Sequence, residues 1–347
     1  VRAICLFLAS ILITCGASQA SAEADDFSGL TEALGKVVEE APLPGACLLV
    51  VEDGEPIYER CFGEYTPETV VPVASASKWL SAASIMTLVD EGRLSLDDPV
   101  SEHLPKFTGT KGEITIRQLL SHTSGLPAQH PALGDYRITM EEAVDRIAEA
   151  DLVAEPGAEF RYGGVSMQVA GRVAEVVSGQ PWREFFRERI AVPCEMPDTQ
   201  YGRRGLSRNP QIAGGASSTL ADYRNFLTMI LDRGEFRGRR VLSEEAIRQM
   251  EVDQTRGAES KAATPVRLRA GTKYGLGQWL DRMDEQGQGV EVSSPGAFGF
   301  RPWIDREHGL LGVLVVEDRG RRARRAEGGV GNVQEAVRRI VEEADGE

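Results

Sequence analysis

The chain has 347 residues, a formal net charge of −14 at pH 7, and 41% apolar against 27% charged residues. So acidic a surface excludes nucleic acid and anionic membrane as main partners, because like charge repels. Four histidines, at 103, 122, 130 and 308, show no metal-ligand spacing, so neither a metal nor another cofactor is expected.

Val1-Arg2 precedes an apolar run through Ala9 and Ile11 to Ile13, and Ala20-Ser21-Ala22 follows. A basic start, an apolar stretch and an Ala-x-Ala site read as a secretory signal over residues 1–22. The run is too short for a membrane span. The expected location is periplasmic or secreted. A lipoprotein anchored at Cys15 is the rival, although Thr14 is an unusual residue before such a cysteine. About 325 residues remain (347 minus 22), with charge −15 (−14 minus the +1 of Arg2) and no integral membrane span expected.

Residues 26–40 read as a helix with Leu30, Leu34, Val37 and Val38 on one face. Cys47 to Val51 and Ile57 to Cys61 flank Asp53-Gly54, a hairpin signal that sets Cys47 nearly opposite Cys61. An exported protein could oxidise the pair to a disulfide. Otherwise they are two small apolar strand residues. Pro72 to Ala74 lead into a helix starting at Ser75 and stopping near Gly92. From about 99 to 215 helical periods dominate: Met140 to Ala150, Ser166 to Val177 and Trp182 to Ile190. Helices recur at 219–233 and 243–252, and 254–270 reads as a loop. Strand-like runs return at Tyr274 to Leu280, Gly299 to Ile304 and Leu310 to Val316, before an amphipathic helix over 331–344. The basic cluster Arg319 to Arg325 reads as a solvated turn.

Strands at both ends of the chain around a helical middle predict an α+β fold. An antiparallel sheet flanked by helices would carry an inserted, mostly helical subdomain. The sheet subdomain takes residues 23–98 and 216–347, and the helical subdomain 99–215.

Ser75-Ala76-Ser77-Lys78 is the chemical centre of the reading. A serine and a lysine three apart on a helix share a face. Serine is a weak nucleophile without a base, and lysine is a base only where burial or nearby charge keeps it neutral. Taken alone, the tetrapeptide is equally an N-cap serine followed by a solvated lysine. Other segments give it context: Gly92 to Pro99, Leu119-Leu120-Ser121-His122-Thr123-Ser124-Gly125-Leu126, Phe160-Arg161-Tyr162-Gly163-Gly164 and Ser294-Pro295-Gly296-Ala297.

Together, by order and spacing, these segments resemble the serine β-lactamase-like family of class C β-lactamases, D-alanyl-D-alanine carboxypeptidases and related family VIII-type esterases. The resemblance runs from about residue 28 to 345. It implies the β-lactamase/transpeptidase-like fold, Ser75 as nucleophile, and Lys78 and Tyr162 as proton-transfer groups. A phenol beside a cationic lysine would ionise more easily. The resemblance further implies an oxyanion hole from the amides of Ser75 and Ala297, and substrate contacts at Gly164, Ser294 and Gly296. It puts His122 in a structural loop and not in a Ser-His triad.

Two positions depart from the family pattern. Gly164 replaces an asparagine, and Ser294-Pro295-Gly296 replaces Lys-Thr-Gly or its histidine variant. Lys273-Tyr274-Gly275 lies too early to be that motif, and Arg301 reads as a surface strand arginine, with a substitute cation as the alternative. Both departures strike recognition of β-lactams and D-Ala-D-Ala peptides. The expectation is therefore an exported serine hydrolase forming a Ser75 acyl-enzyme with an ester or a peptidoglycan-related substrate, most of all an esterase. The alternatives are a D-alanyl-D-alanine carboxypeptidase or weak β-lactamase, and a catalytically silent penicillin-binding-like sensor or scaffold.

Overall fold

The strand Gly45–Glu52 (β1), preceded by the helix Ser28–Glu40 (α1), organises the molecule. A computed structural model describes residues 27–41, 43–202, 207–261, 271–319 and 333–345. The signal reading over 1–22, the cluster 320–325 and the loop residues 262–270 lie outside them. β1 turns at Asp53-Gly54 into Glu55–Gly63 (β2). Both turn residues have positive φ, +46° and +88°, as the two-residue hairpin turn matched to strand twist requires. Cys47 faces Cys61 across the ladder, and the two form a disulfide.

Then follow Val71–Pro72 (β3), Ser77–Asp90 (α2), Ile116–Leu120 (α3), Met140–Ala148 (α4), Glu159–Phe160 (β4), Val165–Ser178 (α5), Trp182–Phe186 (α6) and Gln200–Tyr201 (β5). Thr115 with Gln118 and Thr139 with Glu142 form capping boxes that start α3 and α4. Next come Ala216–Ser218 (β6), Leu220–Leu231 (α7), Glu235–Phe236 (β7), Arg239–Arg240 (β8), Glu244–Met250 (α8) and Glu259–Ser260 (β9). Five strands close the main sheet: Lys273–Tyr274 (β10), Trp279–Met283 (β11), Gly289–Ser293 (β12), Arg301–Asp305 (β13) and Leu310–Val316 (β14). The helix Val333–Asp345 (α9) follows.

The seven-stranded sheet runs β10-β11-β12-β13-β14-β1-β2, and every pair in it is antiparallel. Strands from both ends of the chain meet where β1 pairs with β14, as the sequence pattern predicts. On one face α1 and α9 cover Leu48, Val50 and Trp303 with Leu30, Leu34, Val333, Val337 and Val341. On the other face Cys47, Leu49, Val51, Val313 and Val315 join a core that runs through α2 to α3, α4, α5 and α6. Helix α2 is thus enclosed between the sheet and the helical stretch, and every residue from Ser77 to Leu88 is buried. That is why it is apolar all round and not amphipathic. Trp79, Leu80, Ile85, Met86 and Leu88 are each fully buried, which stabilises by roughly 1.5–3 kcal/mol per side chain.

Three elements differ from the sequence expectation. The run Tyr274 to Leu280 is two short strands, β10 and the start of β11. Between them Gly277, with φ +78°, packs on the Lys78 backbone, where a Cβ would lie 2.5 Å from the Lys78 carbonyl oxygen. Strand β12 goes unread in the sequence because Glu291 interrupts its apolar pattern. That carboxylate is nevertheless buried, held by Arg282 at 3.0 Å and Arg338 at 2.8 Å. The helix read to Ile190 changes at Arg187 into a π-helical turn, Arg187–Ala191.

Candidate active site

Ser75 lies in a 3-10 turn, Ala74–Ala76, at the head of α2. Ala74 has φ +46°, a conformation costing of order 1–3 kcal/mol in a non-glycine residue. The surroundings hold it there. Ser77 Oγ donates to Ala74 O at 2.6 Å and accepts from Ala216 N at 3.0 Å. Two buried tyrosines clamp the same turn: Tyr223 donates to Ala76 O at 2.9 Å and Tyr201 to Ser77 O at 2.8 Å. The sequence reading missed Ser77, Tyr201 and Tyr223. Only the serine, inside the tetrapeptide, carried a local signal.

Lys78 is buried, and its Nζ donates to Ser75 Oγ at 3.1 Å and to Ala213 O at 2.8 Å. Burial acts on it with no opposing carboxylate and pulls its pKa down to about 7. Near neutral pH the amine therefore has a lone pair to offer, and the contact with Ser75 can run in either direction. Tyr162 lines the same pocket as Ser75, and its ring centre lies 4.6 Å from Lys78 Nζ. Burial pushes this phenol up to about 12, while Ser75 pulls the other way. The expectation of easier ionisation is thus overturned. Desolvation wins because the lysine that would favour a phenolate is itself largely uncharged above pH 7.

His122 is buried with φ +59°, and neither ring nitrogen has a hydrogen-bond partner among the described residues. Burial first, and the Lys78 charge second, hold its pKa well below the usual histidine range. The neutral ring packs edge-on against Tyr162 at 4.9 Å, with Tyr274 at 5.1 Å. Its carbonyl accepts from Arg161 N at 2.9 Å, which ties the loop to the residue before Tyr162. His122 thus braces the tyrosine and makes no bond to Ser75.

Ser75, Lys78, Tyr162 and Gly164 line one pocket of about 240 Å³, with Leu133 and Ala213 on its wall. Ser294, Gly296 and Ala297 are not part of that lining. Ser294 and Gly296 lie at the exit of β12, against the backbone that leads into Ser75. Ser294 is buried, and its hydroxyl faces Ser75 O at 3.3 Å and Gly277 O at 3.4 Å. Gly296 packs so closely on Val73 O that no Cβ would fit. Ala297 follows in an exposed turn. A roomier cleft of about 480 Å³ is walled by Phe186, Val192, Met196 and Tyr201. It holds no nucleophile beside a base, so size alone does not mark the site. Among the described residues, ligand-type atoms of Asp98, Glu102 and His103 come within 4.8 Å of one another. Asp98 is already engaged there by Ser95 N at 2.7 Å and His103 at 3.6 Å.

A family model described as Beta-lactamase matches residues 30–333. The chain belongs to the β-lactamase family. This is a family of serine hydrolases with the β-lactamase and penicillin-binding fold. A candidate β-lactamase from Bacteroides dorei is 36% identical, with a TM-score of 0.83 over 91% of this chain and 99% of that one. The D-alanyl-D-alanine-carboxypeptidase/endopeptidase AmpH of Escherichia coli is 31% identical over 172 residues, 44% of each chain. EstCE1, a hydrolase with promiscuous acyltransferase activity, shares the fold at a TM-score of 0.69 and 21% identity, over 88% of this chain and 98% of that one. The chain spans less than half the length of the curated relatives it matches. Among the described residues, no helix is long and apolar enough to cross a membrane.

Proposed function

We propose that the chain is an exported serine hydrolase that cleaves carboxylic esters through a Ser75 acyl-enzyme. The observation that carries this is Lys78 Nζ, 3.1 Å from Ser75 Oγ, with a pKa brought down to about 7. Ser75 Oγ attacks the ester carbonyl carbon and gives its proton to Lys78. The amides of Ser75 and Ala297 hold the oxyanion, and neither makes another hydrogen bond among the described residues. The ester C–O bond breaks as the neutral Tyr162 phenol protonates the leaving alkoxide, and Lys78 returns the proton to the phenol. Water then attacks the acyl-enzyme, its proton leaves through the same groups, and the acid departs with Ser75 restored.

The ester preference rests on Gly164, which offers no amide, and on Ser294, whose hydroxyl faces inward and carries no charge. Esters need less help with the leaving group than amides do. The Cys47–Cys61 disulfide fits an oxidising compartment and supports export. The likeness to AmpH favours a second reading, carboxypeptidase action on D-Ala-D-Ala peptides.

A panel of short p-nitrophenyl esters, a cephalosporin and a D-Ala-D-Ala peptide decides between the two, with intact mass to detect an acyl group on Ser75. Ester turnover should dominate in the parent and vanish in Ser75→Ala. Full activity in that variant, or no adduct with any substrate, sinks the mechanism. Protein recovered after export should begin near Ser21 or Glu23, and a diacylglycerol on Cys15 would show the lipoprotein instead.

A further inference from the structure

Gly164 lines the pocket, yet the space its missing side chain leaves is filled. A Cβ at Gly164 would lie 2.9 Å from Leu133 Cδ1 and 3.9 Å from Ala213 Cβ. Leu133 comes from the 3-10 turn Pro131–Gly134 and is itself buried.

This turn is tied down by a set of amide side chains. Gln211 Nε2 donates to Leu133 O at 2.6 Å. Asn209 Nδ2 donates to Ala132 O at 2.9 Å and to Asp135 O at 3.3 Å. Asn209 in turn accepts from Gln168 Nε2 at 2.8 Å, and Gln168 Oε1 accepts from Ile212 N at 3.2 Å. Gln168 and Asn209 are both fully buried. A buried, satisfied amide network fixes geometry, because each lost bond leaves a desolvated polar group. Leu133 is therefore presented rigidly. The Gln168 amide, though on the pocket wall, is spent on Asn209, Pro210 and Ile212.

We propose that Leu133 is the specificity-determining residue of this pocket, selecting unsubstituted apolar acyl groups over acyl groups that carry an amide. This rests on the hydrolase reading above and deepens it. Methylenes of an alkyl acyl chain gain apolar contact against the isobutyl group. An acylamino group set against that isobutyl group would lose water and gain no hydrogen bond from it, whatever the Gln129 and Gln211 side chains offer on the rest of the lining. Gly164 and Leu133 act as one unit. An asparagine at 164 meets Leu133 before it meets substrate, so exchanging the glycine alone does not rebuild amide recognition.

The test uses two nearly isosteric substrates, p-nitrophenyl pentanoate and the p-nitrophenyl ester of N-acetylglycine. Their kcat/KM ratio is compared between the parent and each variant, with thermal unfolding run alongside. Leu133→Ala should lower the pentanoate preference by about tenfold or more. Gly164→Asn should slow both substrates. Gly164→Asn with Leu133→Ala should recover that loss and shift the ratio furthest toward N-acetylglycine, a non-additive outcome. Leu133→Asn, nearly isosteric, serves if the alanine variant does not fold, and should shift the ratio in the same direction. Ser75-dependent turnover with a ratio unchanged in the folded variants, or strict additivity, overturns the role of Leu133 and leaves the hydrolase reading standing. Parent protein without Ser75-dependent ester turnover overturns the hydrolase reading and this inference with it.

Discussion

At the floor of the pocket, Ser75, Lys78 and Tyr162 sit within hydrogen-bonding or ring contact of one another, under heavy burial and a strained, clamped turn. The wall is built differently. Gly164 contributes no side chain and Leu133 covers the gap, while Ser294, behind the pocket, turns its hydroxyl into the backbone. The floor spends stability on reactivity: a buried lysine, an unpartnered imidazole beside it and a non-glycine residue at positive φ all cost free energy. The contrast separates the groups proposed to make and break bonds, which match the family pattern, from those proposed to choose a substrate, which depart from it.

The largest break should come from Lys78→Ala, with a loss of about 10²–10⁴-fold in kcat/KM toward a short ester. In the parent, only uncharged Lys78 accepts the Ser75 proton. The pH profile should therefore fall as pH drops below about 7. A flat profile from pH 5 to 9 would remove the lysine from the role of base. Tyr162→Phe should cost on the order of 10²-fold, most of it in kcat, because it removes a proton donor and leaves the ring packing intact. A loss confined to KM would make Tyr162 a binding group instead.

Stability should move in the opposite direction. The folded-state pKa of Lys78, about 7, lies below the ordinary 10.5. Between these values the unfolded chain binds more protons, so stability rises with pH over that window. The penalty is complete below about pH 7 and fades toward 10.5. Lys78→Met should thus raise the unfolding free energy by on the order of a few kcal/mol at neutral pH, with the gain shrinking as pH rises. Denaturant melts at pH 7 and 10 measure it, and an equal or larger gain at pH 10 contradicts the assignment.

The smallest effect belongs to Ser294, behind the pocket. Ser294→Ala removes two long hydrogen bonds, which should cost about 0.5–1.5 kcal/mol of stability. Ester kcat/KM should fall less than about tenfold. A hundredfold fall would show that the hydroxyl reaches substrate.

The hairpin, the long helices and a sheet drawn from both ends of the chain were legible because period and turn chemistry repeat over many residues, but the strand order was not. Asp53-Gly54 marked the turn, but a bulge at Val50/Val51 shifts the ladder by one residue, and that shift brings Cys47 opposite Cys61. Ser75 and Lys78 stood out only when their spacing was joined to the other motif segments. Tyr201, Tyr223, Leu133 and Ala213 did not stand out, because each reaches the site from more than fifty residues away and bears no local signal. Glu291 hid a strand, since a carboxylate in an apolar run reads as exposed until Arg282 and Arg338 are seen beside it. The Tyr162 phenol was misjudged for a related reason. Sequence places a charge nearby but cannot weigh it against burial.

The pairing of β1 with β14 joins residues roughly 260 positions apart. During synthesis β1 and β2 leave the ribosome long before the strand that completes the sheet beside them. Until then the open edge of β1 offers unpaired amides and carbonyls along Cys47 to Val51, an apolar segment able to pair with other chains. A polypeptide cut short before Leu310 would keep the Ser75 turn and the helical middle, yet carry that edge permanently exposed. Such fragments should aggregate, and a chaperone that holds the chain extended until its last strand arrives would suit this topology.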